Sequence, residues 1–237
     1  MSALFPLVVR GATVRRRGAR LIGPVDLTLG GAGLTIVIGP NGAGKTTLLK
    51  ALHGIERLSE GAVRWACPTP EARRRQAFVF QTPVMLRRSV RDNLAYPLRL
   101  RGVSRAEARA RAADWAGRIA LGEALRRHAT VLSGGERQKL ALARALIGDP
   151  ALVFLDEPCA SLDGRATRAI EALLREAAAA GTRIIMSTHD MGQARRLATD
   201  VLFLLHGQVI EHSEAARFFA RAETPEARAF LDGKIVD

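Results

Sequence analysis

Gly39-Pro40-Asn41-Gly42-Ala43-Gly44-Lys45-Thr46 is the stretch whose reading decides the fold. Before it, Leu34-Thr35-Ile36-Val37-Ile38 is a short β-branched run bounded by glycines; after it, Thr46-Thr47-Leu48-Leu49-Lys50-Ala51-Leu52 continues as a helix. Strand, glycine-rich loop and helix form the context in which G-x-x-x-x-G-K-T grips phosphate. Gly39, Gly42 and Gly44 let the backbone of Pro40, Asn41 and Ala43 curl. Its N–H groups then point at phosphate oxygens, and the helix start at Thr46 and Thr47 adds partial positive charge. Lys45 supplies a mobile cation, and the Thr46 hydroxyl is placed for Mg²⁺.

A second acid-bearing strand is expected at Ala151-Leu152-Val153-Phe154-Leu155-Asp156-Glu157, an apolar run that ends in two carboxylates before Pro158. Ligands of open α/β sheets bind at the carboxyl ends of the strands. Asp156 is therefore assigned to Mg²⁺ through its water shell. Glu157, next along the strand and pointing elsewhere, is assigned as the general base for an attacking water.

Leu132-Ser133-Gly134-Gly135-Glu136 is a second phosphate-facing device. Gly134 and Gly135 permit close approach of backbone to an anion, Ser133 adds a hydroxyl, and a helix expected from about Glu136 to Ile147 aims its dipole at the same point. One nucleotide cannot use both devices within one subunit at this separation.

With its motifs in this order, the chain resembles the ATP-binding cassette family, the ATPase subunits of ABC transporters, from about Leu7 to about Glu211. The resemblance implies an α/β fold: a P-loop NTPase (RecA-like) core with an antiparallel β subdomain and an inserted α-helical subdomain. Residues 1–237 form one ABC ATPase domain, with 1–80 and 150–237 as core and β subdomain and 81–149 as the helical part. Gln81 matches the family's Gln loop, which contacts Mg²⁺ or the water. His189 resembles the switch histidine at the γ-phosphate, and Ser161-Leu162-Asp163 the loop that crosses to the opposite subunit. ATP and Mg²⁺ are the implied cofactors. The implied partners are a second copy of the chain, which sandwiches two ATP molecules, transmembrane permease subunits, and indirectly an extracytoplasmic substrate-binding protein. The chain would lie at the cytoplasmic face of the inner membrane.

The family usually offers an adenine-stacking aromatic upstream of the P-loop, whereas here no Phe, Tyr or Trp occurs between Phe5 and Trp65. The matching stretch, Val14-Arg15-Arg16-Arg17-Gly18, reads as an Arg-rich turn in which the Arg16 guanidinium plane could stack on the base.

A hydrophobic content of 48% over 237 residues is enough for a substantial core. No apolar run approaches the roughly eighteen residues of a membrane span and Met1–Pro6 is no secretory signal, so any membrane pathway belongs to another chain. Cys67 and Cys159 suggest neither a disulfide framework nor a metal site. The formal charge of +13 invites a nucleic-acid reading, but Arg15-Arg16-Arg17 and Arg73-Arg74-Arg75 lack interleaved aromatics. A soluble ABC ATPase acting on nucleic acid or ribosomes is the alternative from another class; it expects coiled-coil arms or tandem cassettes, which the sequence lacks.

An antiparallel opening is expected at Leu7-Val8-Val9 and Val25–Leu29, an Ala/Arg-rich helix from the Ser104-Arg105-Ala106-Glu107 cap to about Gly117, and a terminal hairpin from Val201–Leu205 and Gln208–Glu211. His53, His128, His206 and His212 read as structural or solvated. Thr82–Arg88 is an apolar loop in which exposed Val84, Met85 and Leu86, with Tyr96 nearby, would suit a helix from a membrane partner. Cargo touches the permease and not this chain. The runs Phe80–Val90 and Asn93–Leu98 look most like oxyanion importers of the tungstate type, with phosphate and polar amino-acid importers close behind. The tail near Asp237 leaves no room for an added regulatory domain.

Overall fold

A computed structural model describes residues 3–160, 162–234 and 236 of the chain. The chain opens with β1 (Leu7–Arg16), β2 (Ala19–Leu29), β3 (Leu34–Ile38), α1 (Lys45–His53), β4 (Glu60–Arg64), α2 (Thr69–Arg74) and β5 (Gln76–Val79). Three helices follow, α3 (Val90–Leu100), α4 (Arg105–Arg118) and α5 (Gly134–Leu146). Then come β6 (Leu152–Asp156), α6 (Gly164–Ala179), β7 (Arg183–Ser187), α7 (Met191–Leu197), β8 (Asp200–Leu205), β9 (Gln208–Glu214), α8 (Ala215–Arg221) and α9 (Pro225–Leu231).

The strands form a three-stranded antiparallel sheet, β2-β1-β4, and a six-stranded sheet in the order β5-β6-β7-β3-β8-β9. The larger sheet is parallel except for β9, which returns beside β8 as the expected hairpin. The central strands are buried on both faces, and their period-two alternation deals side chains to two cores. Ile36 and Ile38, Val153 and Leu155, and Ile184 and Met186 face the core under α3, α4 and α5. Val37, Leu152, Phe154 and Ile185 face the other core, beneath α1 and the antiparallel sheet.

β1 and β2 are longer than their apolar cores suggest. Arg15 and Arg16 are the last residues of β1, so the expected Arg-rich turn shrinks to Arg17-Gly18. Cross-strand pairing, Arg15 with Arg20 and Arg16 with Ala19, carries polar residues into the ladder. The Ser104 hydroxyl accepts the Glu107 N–H at 3.2 Å and starts α4. That helix buries only Ala108, Ala112 and Ala116, one stripe of small side chains that lets it lie close to its neighbours. His53 is packed edge-on against Phe78 and Phe154, with ring centroids 5.5 and 5.6 Å away, and burial lowers its pKa. None of the described helices is long and apolar enough to cross a membrane.

Candidate functional site

Strand order assembles the site. Because β5, β6, β7 and β3 are consecutive neighbours, their carboxyl ends bring Gln81, Asp156 with Glu157, Ser187 through His189, and the Gly39–Thr46 loop to one ledge. The loop needs its glycines. Gly39 has φ +148° and Gly44 +100°. A Cβ on Gly39 would collide with the Leu204 carbonyl oxygen of β8, and one on Gly44 would lie 2.7 Å from Ile22 Cγ2.

Lys45 Nζ is buried and donates to the carbonyls of Gly39 at 2.8 Å and Pro40 at 3.0 Å. Burial lowers its pKa, opposed by the nearby charges of Glu157 and Asp156. An ammonium has three donors, so one remains for a phosphate oxygen.

Asp156 is buried, and its Oδ1 accepts from both Thr46 Oγ1 and Ser187 Oγ, each at 2.9 Å. A hydroxyl and a carboxylate oxygen side by side at the foot of the phosphate loop are the hard-oxygen donors that suit Mg²⁺ shared with phosphates. Glu157 adopts φ +45°, where a non-glycine residue is strained. Its N–H is held by Ser187 Oγ at 3.0 Å, and the carboxylate turns onto the ledge. There Glu157 Oε2 meets His189 Nδ1 at 3.0 Å and accepts from Gln81 Nε2 at 3.4 Å. Two residues from two strand ends, Gln81 and His189, thus converge on one carboxylate oxygen at the end of a third.

Ser133 and Glu136 form a complete capping box: Ser133 Oγ accepts the Glu136 N–H at 3.3 Å, and Glu136 Oε2 accepts the Ser133 N–H at 2.8 Å. The helix α5 therefore begins at Gly134, two residues before the expected start. That backbone bond holds the Glu136 pKa below the usual carboxylate range. The Ser133 hydroxyl, spent as an acceptor, keeps its own proton to donate. A Cβ at Gly134 would have nothing within 4 Å, whereas Gly135 faces Ala166 and Leu162. Asp163 Oδ1 accepts the Ala166 N–H at 2.7 Å and so caps α6. Ser161 lies outside the described residues.

These residues do not share a cavity with the phosphate loop. Ser133, Gly134, Gly135 and Asp163 line one of about 670 Å³ whose walls carry Arg118, Lys139 and Arg165. Pro40, Asn41, Gly42 and Ala43 line another of about 440 Å³, together with His206 and Phe230. Arg16 is bound to Glu56 at 2.9 Å.

The chain matches the family model described as ABC transporter over residues 22–160. It belongs to the ABC transporter ATPase family. It is 40% identical over 207 residues to the tungstate uptake system ATP-binding protein TupC of Peptoclostridium acidaminophilum, covering 85% of this chain and 94% of that one. It is 36% identical over 251 residues to the phosphate import ATP-binding protein PstB 2 of Natronomonas pharaonis, covering 97% and 87%. A Streptomyces coelicolor Fe(3+) ions import ATP-binding protein is 36% identical over 231 residues, 95% of this chain and 66% of that one. A solved dimeric, post-hydrolysis ATP-binding cassette bound to ADP and Pi superposes with a TM-score of 0.78 at 24% identity, covering 88% of this chain and 98% of that chain. The chain is thus an ATP-binding, ATP-hydrolysing transporter subunit with the P-loop NTPase fold.

Three residues not expected at the site, of which His206 reads as structural or solvated, lie in or beside it in this ABC ATPase. Ser187 holds both Asp156 and Glu157, and only its register opposite Asp156 would have revealed it. His206 lines the phosphate-loop cavity from the β8–β9 turn. Arg144 ties α5 to the loop after Gln81, with no motif to mark it. That loop differs from expectation: Val84 is 70% exposed, but Met85 is half-buried against the helical core and Leu86 is pinned by Asn93. Phe80, Tyr96 and Leu100 complete the exposed apolar surface instead.

Proposed function

We propose that this chain powers a binding-protein-dependent membrane importer, with two copies sandwiching two ATP molecules beneath permease subunits at the cytoplasmic face of the inner membrane. The observation that carries the catalytic assignment is the convergence of Gln81 and His189 on Glu157 Oε2, beside the Thr46–Asp156 pair. Glu157 takes the proton of the attacking water. Gln81 orients that water, and His189, 62% exposed, turns from Glu157 onto the γ-phosphate. Gly39 through Thr47 hold the phosphates, with Lys45 as their cation. Mg²⁺, held by Thr46, Asp156 and Gln81, would neutralise the charge spread over the β- and γ-phosphates.

Ser133, Gly134 and Gly135 close on the γ-phosphate bound by the other copy, and Asp163 follows at the same seam. The open space over Gly134 and the separation of the two cavities support this reading. Arg16 offers a guanidinium plane for adenine, braced by Glu56.

The cargo we assign is an oxyanion such as tungstate, supported by the likeness to the tungstate and phosphate relatives. The assay is ATP hydrolysis by the reconstituted permease complex with its binding protein, comparing tungstate, molybdate, phosphate and a polar amino acid. Stimulation by tungstate is expected; stimulation by phosphate alone moves the assignment to phosphate, and by the amino acid alone removes the oxyanion class.

A further inference from the structure

Beside the loop after Gln81, Phe80, Val84, Tyr96 and Leu100 line an apolar groove of about 280 Å³, with Val84 and Leu100 each 70% exposed. The other side of Tyr96 is a wall of a second recess, about 370 Å³, lined by Arg88, Arg99, Arg105 and Arg109 with one carboxylate, Asp92. The groove is apolar and the recess cationic, and one aromatic ring joins them.

Among the described residues, none of these four guanidinium groups takes part in an ion pair, whereas Arg16, Arg111, Arg118, Arg183 and Arg196 all do. Asp92, whose Oδ2 accepts the Ser89 hydroxyl at 2.7 Å in the cap of α3, offsets only one of the four charges, so the recess stays net cationic. Arg88 lies over the Tyr96 ring at 5.9 Å, and Arg99 Nη1 donates to the Val103 carbonyl at 3.0 Å, so both heads are held near the recess. Like charges gathered at one concavity repel one another even through water. An anion supplied from outside the chain relieves that repulsion.

Resting on the reading that a permease segment docks in the groove, we propose that this segment carries an Asp or Glu side chain that enters the Arg88–Arg99–Arg105–Arg109 recess. The apolar contact at Val84 and Leu100 anchors the segment, and the carboxylate sets its register and direction against Tyr96. Concavity favours a discrete side chain over a lipid surface, which would meet protruding cations rather than ones ringing a hollow. Continuity with the apolar groove favours it over a free ion.

The test uses the transporter co-expressed with its own permease and captured through a tag on the ATPase. The permease retained by the wild type should fall as salt is raised, and Arg105→Glu with Arg109→Glu should lower retention about tenfold or more at fixed salt. Replacing the permease's cytoplasmic acids by Arg, one at a time, should restore it in one case. Unchanged melting of the isolated variant shows that it is folded; if it is not, the neutral pair Arg99→Gln with Arg105→Gln takes its place. Salt-independent retention by the wild type overturns the proposal, as does full retention by a folded variant. Val84→Asp separates the two layers. If it also leaves retention intact, the docking reading falls; if it abolishes retention while the arginine variants do not, only the carboxylate contact falls. Flotation of the isolated subunit with phosphatidylglycerol or pure phosphatidylcholine vesicles covers the remaining source. Binding to the anionic vesicles that is lost in the arginine variants, with permease retention unchanged, makes the recess a lipid site and overturns the proposal.

Discussion

Arg144 donates through Nη2 to the Val84 carbonyl at 2.7 Å, tying the last turn of the helix that begins after Ser133 to the loop that follows Gln81. Its other nitrogen, Nη1, reaches Asn93 Oδ1 at 3.2 Å, and that oxygen also takes the Leu86 N–H. One guanidinium therefore spans the loop, α3 and α5. Arg144→Ala should cost about 1–3 kcal/mol, because acceptors lose a charged donor. Permease-stimulated hydrolysis should fall further than basal hydrolysis does. Equal losses in both would reduce Arg144 to a merely structural brace.

Glu157→Gln keeps size and hydrogen bonding at the ledge but removes the base. Turnover should drop about 10²–10⁴-fold while ATP still binds, and an ATP-bound dimer should accumulate on gel filtration. Near wild-type hydrolysis in the assembled complex would dismiss Glu157 as the base. Lys45→Ala should instead weaken nucleotide binding itself, measurable by calorimetry.

Gly134→Asp tests action across the interface without disturbing the fold. The space over Gly134 is open, and an acid in the first turn of a helix is favourable within the chain. Facing a partner's phosphate, the same carboxylate repels. In the Glu157→Gln background the substitution should leave a folded monomer that binds ATP yet does not dimerise. A persistent ATP-dependent dimer contradicts the sandwich.

Val84→Asp and Met85→Asp should behave differently, although the residues are adjacent. Met85 packs against the helical core, so its substitution buries an unpaired charge and should lower the melting temperature by several degrees, on the order of 1–3 kcal/mol. Val84 projects into solvent, and its substitution should leave melting unchanged while weakening permease retention. Equal melting shifts would place both side chains in one environment.

Asp200 is one of the carboxylates, with Glu136, Glu171 and Glu211, whose lowered pKa contributes to acid stability. Burial pushes its pKa up, but His212 at 3.0 Å, Arg183 at 3.2 Å, and the Thr35 and Thr199 hydroxyls outweigh that and hold it at about 2. The folded value lies below the unfolded value of about 3.9. Its stabilisation, about 2 kcal/mol, is thus present above that unfolded value and lost as pH falls toward 2. Asp200→Asn should flatten urea-unfolding free energy between about pH 4 and pH 2 relative to wild type. An unchanged slope removes Asp200 from the acid transition.

The phosphate loop, the acid-ended strand, the hairpin and the Ser133 turn are all local patterns, and β3 matches Leu34–Ile38 residue for residue. Each depends on backbone conformations that glycine permits, or on a run of apolar residues whose period declares one element; neighbours in sequence suffice to specify both. Strand order is different. That β5, β6, β7 and β3 lie side by side, so that Gln81 and His189 meet at one oxygen of Glu157, follows from packing two apolar faces of a parallel sheet. No local pattern encodes it. The positive φ of Glu157, the capping duty of Asp163, the burial of Met85 beside exposed Val84, and the gathering of four arginines around Tyr96 belong to the same class. Each is decided by which surfaces come together across the fold, and a side chain's neighbours in space are fixed only when the chain has buried its core.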